Sequence, residues 1–187
     1  MAGVDEAGRG PLAGPVVAAA VGLPEKFAHS LLNDSKQLSE RRRDALFVEI
    51  TARADIRWAF AVVENDEIDR LNILRATHEA MRRAVARLDP QPQHVLIDGL
   101  PVRPFPVEQT ALVGGDALSF SIAAASIIAK VTRDRLMREH DAKFPGYDFA
   151  RHKGYGTPQH LAALKKNGPC PIHRRSFLPV RQAELTH

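Results

Sequence analysis

The sequence contains one cysteine, Cys170, so the chain cannot form an internal disulfide bond. This is typical of a protein from a reducing compartment, and we predict a cytoplasmic location. Cys170 lies between two prolines, where a simple loop cysteine is a better interpretation than a thiol nucleophile. The apolar segment Val16 to Leu23 is too short for a membrane span or a secretory signal. We therefore expect a buried strand there and no membrane partner.

Positively charged residues are in small excess. The net charge is +4 and the isoelectric point is about 9.5, which permits nucleic-acid binding without requiring it. A hydrophobic fraction of 44% is too high for a disordered chain. No repeat or linker divides the 187 residues, so we predict a single domain over 1–187 and a monomer.

Apolar periodicity predicts strands and helices that alternate along the chain. Strands are predicted at Val16–Leu23, Ile56–Val63, His94–Ile97 and Pro106–Thr110, after a short apolar segment at Ala2–Val4. Helices are predicted at Ser39–Ala54, from an Asn65 cap to Leu88, at Ser119–His140, and from a Thr157 cap to Gly168. The pattern indicates an α/β fold in which helices flank a mixed sheet.

Four acidic residues fall where the predicted elements begin or end. Asp5 and Glu6 follow the first apolar segment, Asp98 ends a strand, and Asp116 precedes the long helix. Acids in such places can converge at one edge of a sheet, where their repulsion favours a bound cation. Oxygen ligands select Mg²⁺ or Mn²⁺, and two such ions can activate water against a phosphodiester. The alternative is that each acid is an ordinary turn or cap residue.

The segment Gly8-Arg9-Gly10, here called the glycine loop, is equally open to two interpretations. Glycines let a backbone approach a sugar or phosphate closely, and an arginine can bind a phosphate. Taken alone, the same pattern is more often a simple turn.

Several segments together resemble the ribonuclease H type II family, and they occur in the family's order over nearly the whole chain. They are Val4–Val17 (VDEAGRGPLAGPVV), Asp34–Leu38 (DSKQL), Leu96–Gly99 (LIDG), Gly115-Asp116, Ser121–Val131 (SIAAASIIAKV) with Arg133-Asp134, His152–Thr157 (HKGYGT) and Pro171–Phe177 (PIHRRSF).

The resemblance implies an RNase H-like fold with a five-stranded mixed sheet, and it makes 1–187 a catalytic domain with a C-terminal helical segment. It implies hydrolysis by two Mg²⁺ or Mn²⁺ ions that leaves 3′-hydroxyl and 5′-phosphate ends. The substrates implied are RNA–DNA hybrids and DNA duplexes containing single ribonucleotides. The implied metal-binding and catalytic residues are Asp5, Glu6, Asp98 and Asp116.

The resemblance also implies substrate-binding residues. Gly8, Arg9 and Gly10 would sense the ribose 2′-hydroxyl, and Tyr155 would stack on the neighbouring sugar. Lys36 and Lys153 are expected to neutralise phosphates. Some relatives bind a sliding clamp, although no clear clamp-binding peptide is present here.

Three features depart from the family's pattern. Gly114 stands where the family commonly has lysine before Gly-Asp, so a positive charge near Asp116 is missing. The chain starts almost at the first motif, which indicates either a short first strand or a truncated start. It ends soon after Phe177, without the further helices of some relatives, so a weaker substrate grip is expected.

Other charged residues are assigned from their helices. Asp134 is interpreted as structural, through an ion pair with an arginine, and Arg41–Arg43 as a solvated face. The segment His173–Arg175 is equally compatible with facing a duplex and with packing the C-terminus. A non-catalytic binder of hybrids on the same fold, or another metal-dependent nuclease or transferase, remains an alternative function.

Overall fold

The computed structural model describes residues 1–25, 27, 29, 32 and 38–185. Its centre is a five-stranded sheet of order β3-β2-β1-β4-β5. The strands are β1 (Ala2–Ala7), β2 (Val16–Gly22), β3 (Arg57–Val63), β4 (His94–Asp98) and β5 (Glu108–Leu112). The β1–β2 and β2–β3 pairs are antiparallel, whereas β1–β4 and β4–β5 are parallel. The predicted α/β fold with a mixed five-stranded sheet is confirmed.

Helices pack on both sides of this sheet. They are α1 (Glu40–Ala52), α2 (Asn65–Leu71), α3 (Ile73–Ala86), α4 (Phe120–Lys143), α5 (Phe149–His152), α6 (Pro158–Asn167) and α7 (Leu178–Glu184). A short 3₁₀ turn, Gly115–Ala117, precedes α4. No helix within the described part of the chain is both long and apolar enough to cross a bilayer.

Strand β2 shows why the sheet is buried on both faces. Its alternate residues Val16, Ala18 and Ala20 join the core with α3, while Val17, Ala19 and Val21 join the core with α4. An uninterrupted apolar run is the pattern expected of a strand covered on two faces.

Helix α4 lies unusually close to β1. A Cβ atom at Gly3 would fall 2.2 Å from the backbone carbon of Ser121, so only glycine permits this approach. The close contact brings the polar side chains of α4 next to the end of β1, where the first predicted acids lie.

The prediction of one long helix capped by Asn65 is wrong. The helix breaks at Asn72, which adopts a positive φ of 70°, and the Asn72 side chain accepts a hydrogen bond from the Arg75 amide to begin α3. The Asn65 side chain instead donates to the carbonyl oxygens of Pro171 and His173. Tertiary hydrogen bonds therefore replace the local cap that the sequence suggested.

Other boundaries differ by smaller amounts. The strand predicted at Pro106–Thr110 is Glu108–Leu112, and α5 and α7 were not predicted. The last predicted helix is correct, since the Thr157 hydroxyl caps α6 and Gly168 follows its end.

Candidate active site

The first and third predicted acids lie side by side because of strand register. Val4 of β1 pairs in parallel with Ile97 of β4, so Asp5 and Asp98 each follow a member of the same pair. Both preceding residues point into the α3 core, and the acids therefore point towards α4.

Burial and mutual repulsion act on the acids at the end of β1. Burial raises the pKa of Asp5 well above its usual value, and the charges of Glu6 and Asp98 raise it further. Burial also raises the pKa of Glu6, an effect that the charge of Arg9 opposes. The Arg9 guanidinium lies 3.3 Å from the Glu6 carboxylate. The protein therefore concentrates negative charge where water cannot screen it fully.

Asp116 reaches the same end of the sheet through the 3₁₀ turn. The amide of Gly115 donates to the Asp98 carboxylate over 2.7 Å, and Asp116 follows as a buried residue. A Cβ at position 115 would lie 2.6 Å from Ile122 Cδ1 and 3.1 Å from Leu112 Cβ, so a larger residue would require these side chains to shift. Gly114 adopts a φ of 68°, a left-handed conformation in which a lysine would be strained.

The donor chemistry of this group fits a hard divalent cation, because every candidate ligand is a carboxylate oxygen. A cation would also relieve the repulsion that raises the pKa values of Asp5 and Glu6. Over the described ranges, no three acidic, histidine or cysteine side chains are already arranged as a metal cluster. The structure thus brings the ligand candidates to one place without preforming the coordination shell.

A cleft of about 450 Å³ opens beside these acids, and we call it the candidate cleft. Its lining includes one carboxylate, the glycine loop, cations and an aromatic ring: Glu6, Ala7, Gly8, Arg9, Gly10, Arg43, Ser126, Ile127, Lys130 and Tyr155.

Helix α4 supplies the wall of the cleft opposite the glycine loop. Ser126 and, one turn later, Lys130 both line the cleft. The Lys130 ammonium donates to Asp134 over 2.7 Å. Asp134 is thus ion-paired as predicted, but with a lysine and not with an arginine.

Two buried arginines donate to backbone carbonyls at and near the glycine loop, and Arg174 binds the loop itself. Arg174 donates to the carbonyl oxygens of Gly8 (2.6 Å), Arg9 (2.9 Å) and Gly14 (2.9 Å). Arg133 donates to the carbonyls of Pro15, Lys153 and Ala13 at 2.9, 3.0 and 3.2 Å. These carbonyl dipoles stabilise the two positive guanidinium charges, which no carboxylate in the described chain contacts directly.

Burial lowers the pKa of Arg133 to about 10. It lowers the pKa of Arg174 to about 9, with a further contribution from the charge of Arg133. Both guanidiniums therefore remain protonated at neutral pH, and each keeps its full set of donors.

The orientation of the loop follows from these bonds. In a planar trans peptide the carbonyl and the next N–H point in opposite directions. Since the Gly8 and Arg9 carbonyls face Arg174, the N–H groups of Arg9 and Gly10 point away from it. No acceptor within the described chain binds either N–H, so both are available to a ligand in the candidate cleft.

Tyr155 and Lys153 follow α5 but face different surroundings. The Tyr155 ring is 42% exposed at the cleft, and the Arg133 guanidinium lies 5.8 Å from its centre. Lys153 is buried, and its ammonium donates to the Ala150 carbonyl. Burial lowers the pKa of Lys153. Lys36 and most of its DSKQL motif lie outside the described residues.

The His173–Arg175 segment packs into the protein. His173 and Arg174 are fully buried, whereas Arg175 is exposed and pairs with Glu184 of α7. The solvated face predicted at Arg41–Arg43 is wrong for Arg43, which lines the candidate cleft and donates to the Leu38 carbonyl.

Comparison with known proteins identifies the family. The model of the ribonuclease HII family matches residues 2–180. The chain belongs to the ribonuclease HII family. The ribonuclease HII of Listeria monocytogenes serotype 4b (strain F2365) is 58% identical over 185 residues, which cover 99% of this chain and 70% of the relative.

Solved structures agree on the fold. Ribonuclease H2 from Pyrococcus horikoshii OT3 superposes with a TM-score of 0.82 at 30% identity, covering 99% of this chain and 97% of the other. The ribonuclease HII in the PCNA complex from Archaeoglobus fulgidus gives 0.76 at 29% identity, with 93% and 92% covered. Bst-RNase HIII in complex with Mn²⁺ gives 0.77 at 20% identity, with 99% and 69% covered, and supports the fold alone.

Sequence reasoning missed several residues of this ribonuclease HII site. Ser126 and Lys130 are spaced four residues apart in the mainly apolar first half of α4, and both line the candidate cleft. That spacing could have placed them on the cleft. Arg133 and Arg174 carried no comparable signal, because their partners are backbone carbonyls far away in the sequence.

Proposed function

We propose that this ribonuclease HII is an endonuclease that cuts the RNA strand of RNA–DNA hybrids and incises at single ribonucleotides in duplex DNA. The observation that carries the proposal is the candidate cleft itself. It joins an acid of the carboxylate group, the glycine loop and an exposed tyrosine in one space. A substrate in this space would contact chemical and sugar-sensing groups together.

The four carboxylates Asp5, Glu6, Asp98 and Asp116 are the proposed ligands for two Mg²⁺ or Mn²⁺ ions. When bound, these ions would supply the activated water and the charge that stabilises the leaving oxygen, with 3′-hydroxyl and 5′-phosphate products. The buried position of Asp5, and the hydrogen bond that its carboxylate accepts from the Glu6 amide, would keep that carboxylate oriented.

The glycine loop is the proposed sensor of the ribose. The outward N–H groups of Arg9 and Gly10 can donate to a hydroxyl or phosphate oxygen, and the absence of a Cβ at Gly10 leaves room for a sugar. A deoxyribose would leave those donors unpaired, which disfavours DNA. Arg9 would pair with a neighbouring phosphate.

Tyr155 is the proposed stacking partner of the sugar next to the ribonucleotide. Its exposed ring borders Gly10, since a Cβ built at Gly10 would lie 3.7 Å from the ring. Lys36 and Lys153 are the proposed phosphate contacts. Lys153 would have to exchange its bond to the Ala150 carbonyl for a phosphate.

A sliding clamp is the protein partner that we propose to test, since the Archaeoglobus fulgidus relative was solved as a PCNA complex. The proposed location is the cytoplasm, in keeping with the single unpaired cysteine.

The decisive experiment uses a DNA duplex with one ribonucleotide, a long RNA–DNA hybrid and an all-DNA duplex. Each is incubated with Mg²⁺, with Mn²⁺ and with chelator, and the cut ends are mapped. We expect cleavage of the first two substrates only, dependent on the added cation, with 3′-hydroxyl ends. Cleavage of the all-DNA duplex, or equal cleavage in chelator, would refute the proposal.

A further inference from the structure

A chain of buried histidines connects the C-terminal loop to Tyr155. His173 and His160 are both fully buried, and their Nε2 atoms lie 3.0 Å apart. The Nδ1 atom of His160 lies 2.9 Å from the Tyr155 carbonyl oxygen. At its other end, the Cys170 amide donates to His173 Nδ1 over 3.0 Å.

These contacts fix where the protons lie. A carbonyl only accepts, so His160 must carry its proton on Nδ1 and present a bare Nε2. His173 must then donate from Nε2, which agrees with its acceptance of the Cys170 N–H at Nδ1. His173 Nδ1 also lies 3.3 Å from the Cys170 carbonyl oxygen, and a hydrogen bond there would require the opposite tautomer. The bond from the Cys170 amide is shorter, so it is favoured.

The arrangement works only while both rings are neutral, because a second proton on His160 would set two N–H groups against each other. Burial lowers the pKa of both histidines, which keeps them neutral at ordinary pH. His152 stacks on His160 with ring centres 4.5 Å apart and closes the other side.

We propose that this His173–His160 relay is a positioning device for Tyr155, so that His160 acts on substrate through the tyrosine. The Tyr155 carbonyl also accepts the Thr157 amide, and its own amide donates to the His152 carbonyl. Among the described residues, the His160 side chain is the only one that hydrogen-bonds to the Tyr155 backbone, and it links the tyrosine to the start of α6. The inference rests on the proposed role of Tyr155 at the ribonucleotide.

Two substitutions at His160 separate the ends of the relay. In asparagine the amide nitrogen stands as many bonds from Cα as Nδ1 of histidine, so His160→Asn retains the donor to Tyr155. In glutamine the amide oxygen stands as many bonds from Cα as Nε2 of histidine, so His160→Gln retains an acceptor for His173 and loses the donor to Tyr155. We expect His160→Gln to lower kcat/KM at a single ribonucleotide roughly three- to tenfold, and His160→Asn to lower it less.

The test is a double-mutant cycle with Tyr155→Ala, measured on the single-ribonucleotide duplex and on the long hybrid. We expect Tyr155→Ala to lose more on the single ribonucleotide, and His160→Gln to add little further loss once Tyr155 is absent. The relay would be overturned if the losses from His160→Gln and Tyr155→Ala multiplied in the double variant. It would also be overturned if His160→Gln and His160→Asn lowered kcat/KM equally. If Tyr155→Ala affected both substrates equally, the proposed role of Tyr155 itself would fail, and with it the positioning inference.

A second readout does not depend on activity. Nitrogen NMR of the imidazoles should show His160 protonated on Nδ1 and His173 on Nε2 in the folded wild-type protein. Thermal melts of all variants would test whether each is folded. The opposite tautomer at His160 would overturn the inference whatever the kinetics.

Discussion

Arg174 donates through Nη2 to the carbonyl oxygen of Gly8 over 2.6 Å, across 166 positions of sequence. This bond, with those to Arg9 and Gly14, determines which way the glycine loop faces. The loop that we propose to sense ribose is therefore shaped by a residue that never reaches the cleft.

Replacement of Arg174 should damage both the fold and the loop. We expect Arg174→Lys to lower the melting temperature by about 5–10 °C, because one ammonium cannot satisfy carbonyls arranged for a planar fork. Arg175→Lys is the matched control, since Arg175 is the next residue and its side chain is exposed. Equal melting temperatures for the two variants would show that the buried bonds contribute nothing.

Asp5→Asn should nearly abolish cleavage while it stabilises the metal-free protein. Loss of one anionic ligand should lower turnover roughly a hundredfold or more. Since burial and neighbouring acids raise the pKa of Asp5, its protonated form favours folding at low pH, and that stability is lost as pH rises through the raised pKa.

The check is the free energy of unfolding without metal at pH 5 and pH 8. We expect it to fall less between these values for Asp5→Asn than for the wild type. Added Mg²⁺ should raise the melting temperature of the wild type more than that of the variant. Near wild-type turnover in Asp5→Asn would remove Asp5 from the metal site.

Gly10→Ala should separate function from folding. A methyl group at Gly10 meets only the Tyr155 ring at 3.7 Å, so the backbone tolerates it, but it would enter the space proposed for the ribose. We expect a clear loss of activity on the single-ribonucleotide duplex and a melting temperature within about 2 °C of the wild type.

Gly8→Ala is the contrasting variant. Gly8 has a φ of +97°, and a Cβ there would lie 2.1 Å from Arg133 Nε and 2.7 Å from the Pro15 carbonyl. We expect a large fall in melting temperature. If Gly10→Ala melted as low as Gly8→Ala, Gly10 would be needed for the turn and not for the substrate.

Acid should weaken the fold through the buried histidines. Burial, aided by the charges of His160 and Arg175, lowers the pKa of His173 to about 4, and burial also lowers that of His160. The unfolded chain binds these protons near pH 6.5, so stability present above that pH is lost as pH falls towards about 4.

The comparison is between the wild type and His160→Asn, so that the opposing effect of the active-site acids is shared. His152, Tyr147, Cys170 and Arg175 face the pair from the surrounding elements and are unchanged in the variant. The unfolding free energy from pH 7.5 to 5.0 should fall less steeply in His160→Asn. Parallel curves would show that His160 does not titrate with the fold.

The amino-acid sequence alone predicted the α/β pattern, the family resemblance and the four candidate acids, because these depend on local alternation and contiguous motifs. It also determined the ends of α6, since a threonine cap, an N-terminal proline and a following glycine act on neighbouring backbone. The positions of Asp5 and Asp98 could be expected at one sheet edge, but not their register.

How distant residues combine depends on the folded chain. The inward turn of Arg174 and the cleft position of Arg43 depend on residues remote in sequence. A motif records which side chains are present, whereas their direction is set by hydrogen bonds that the folded chain alone brings together. Every residue carries a backbone carbonyl, so no sequence pattern could predict which carbonyls orient the glycine loop.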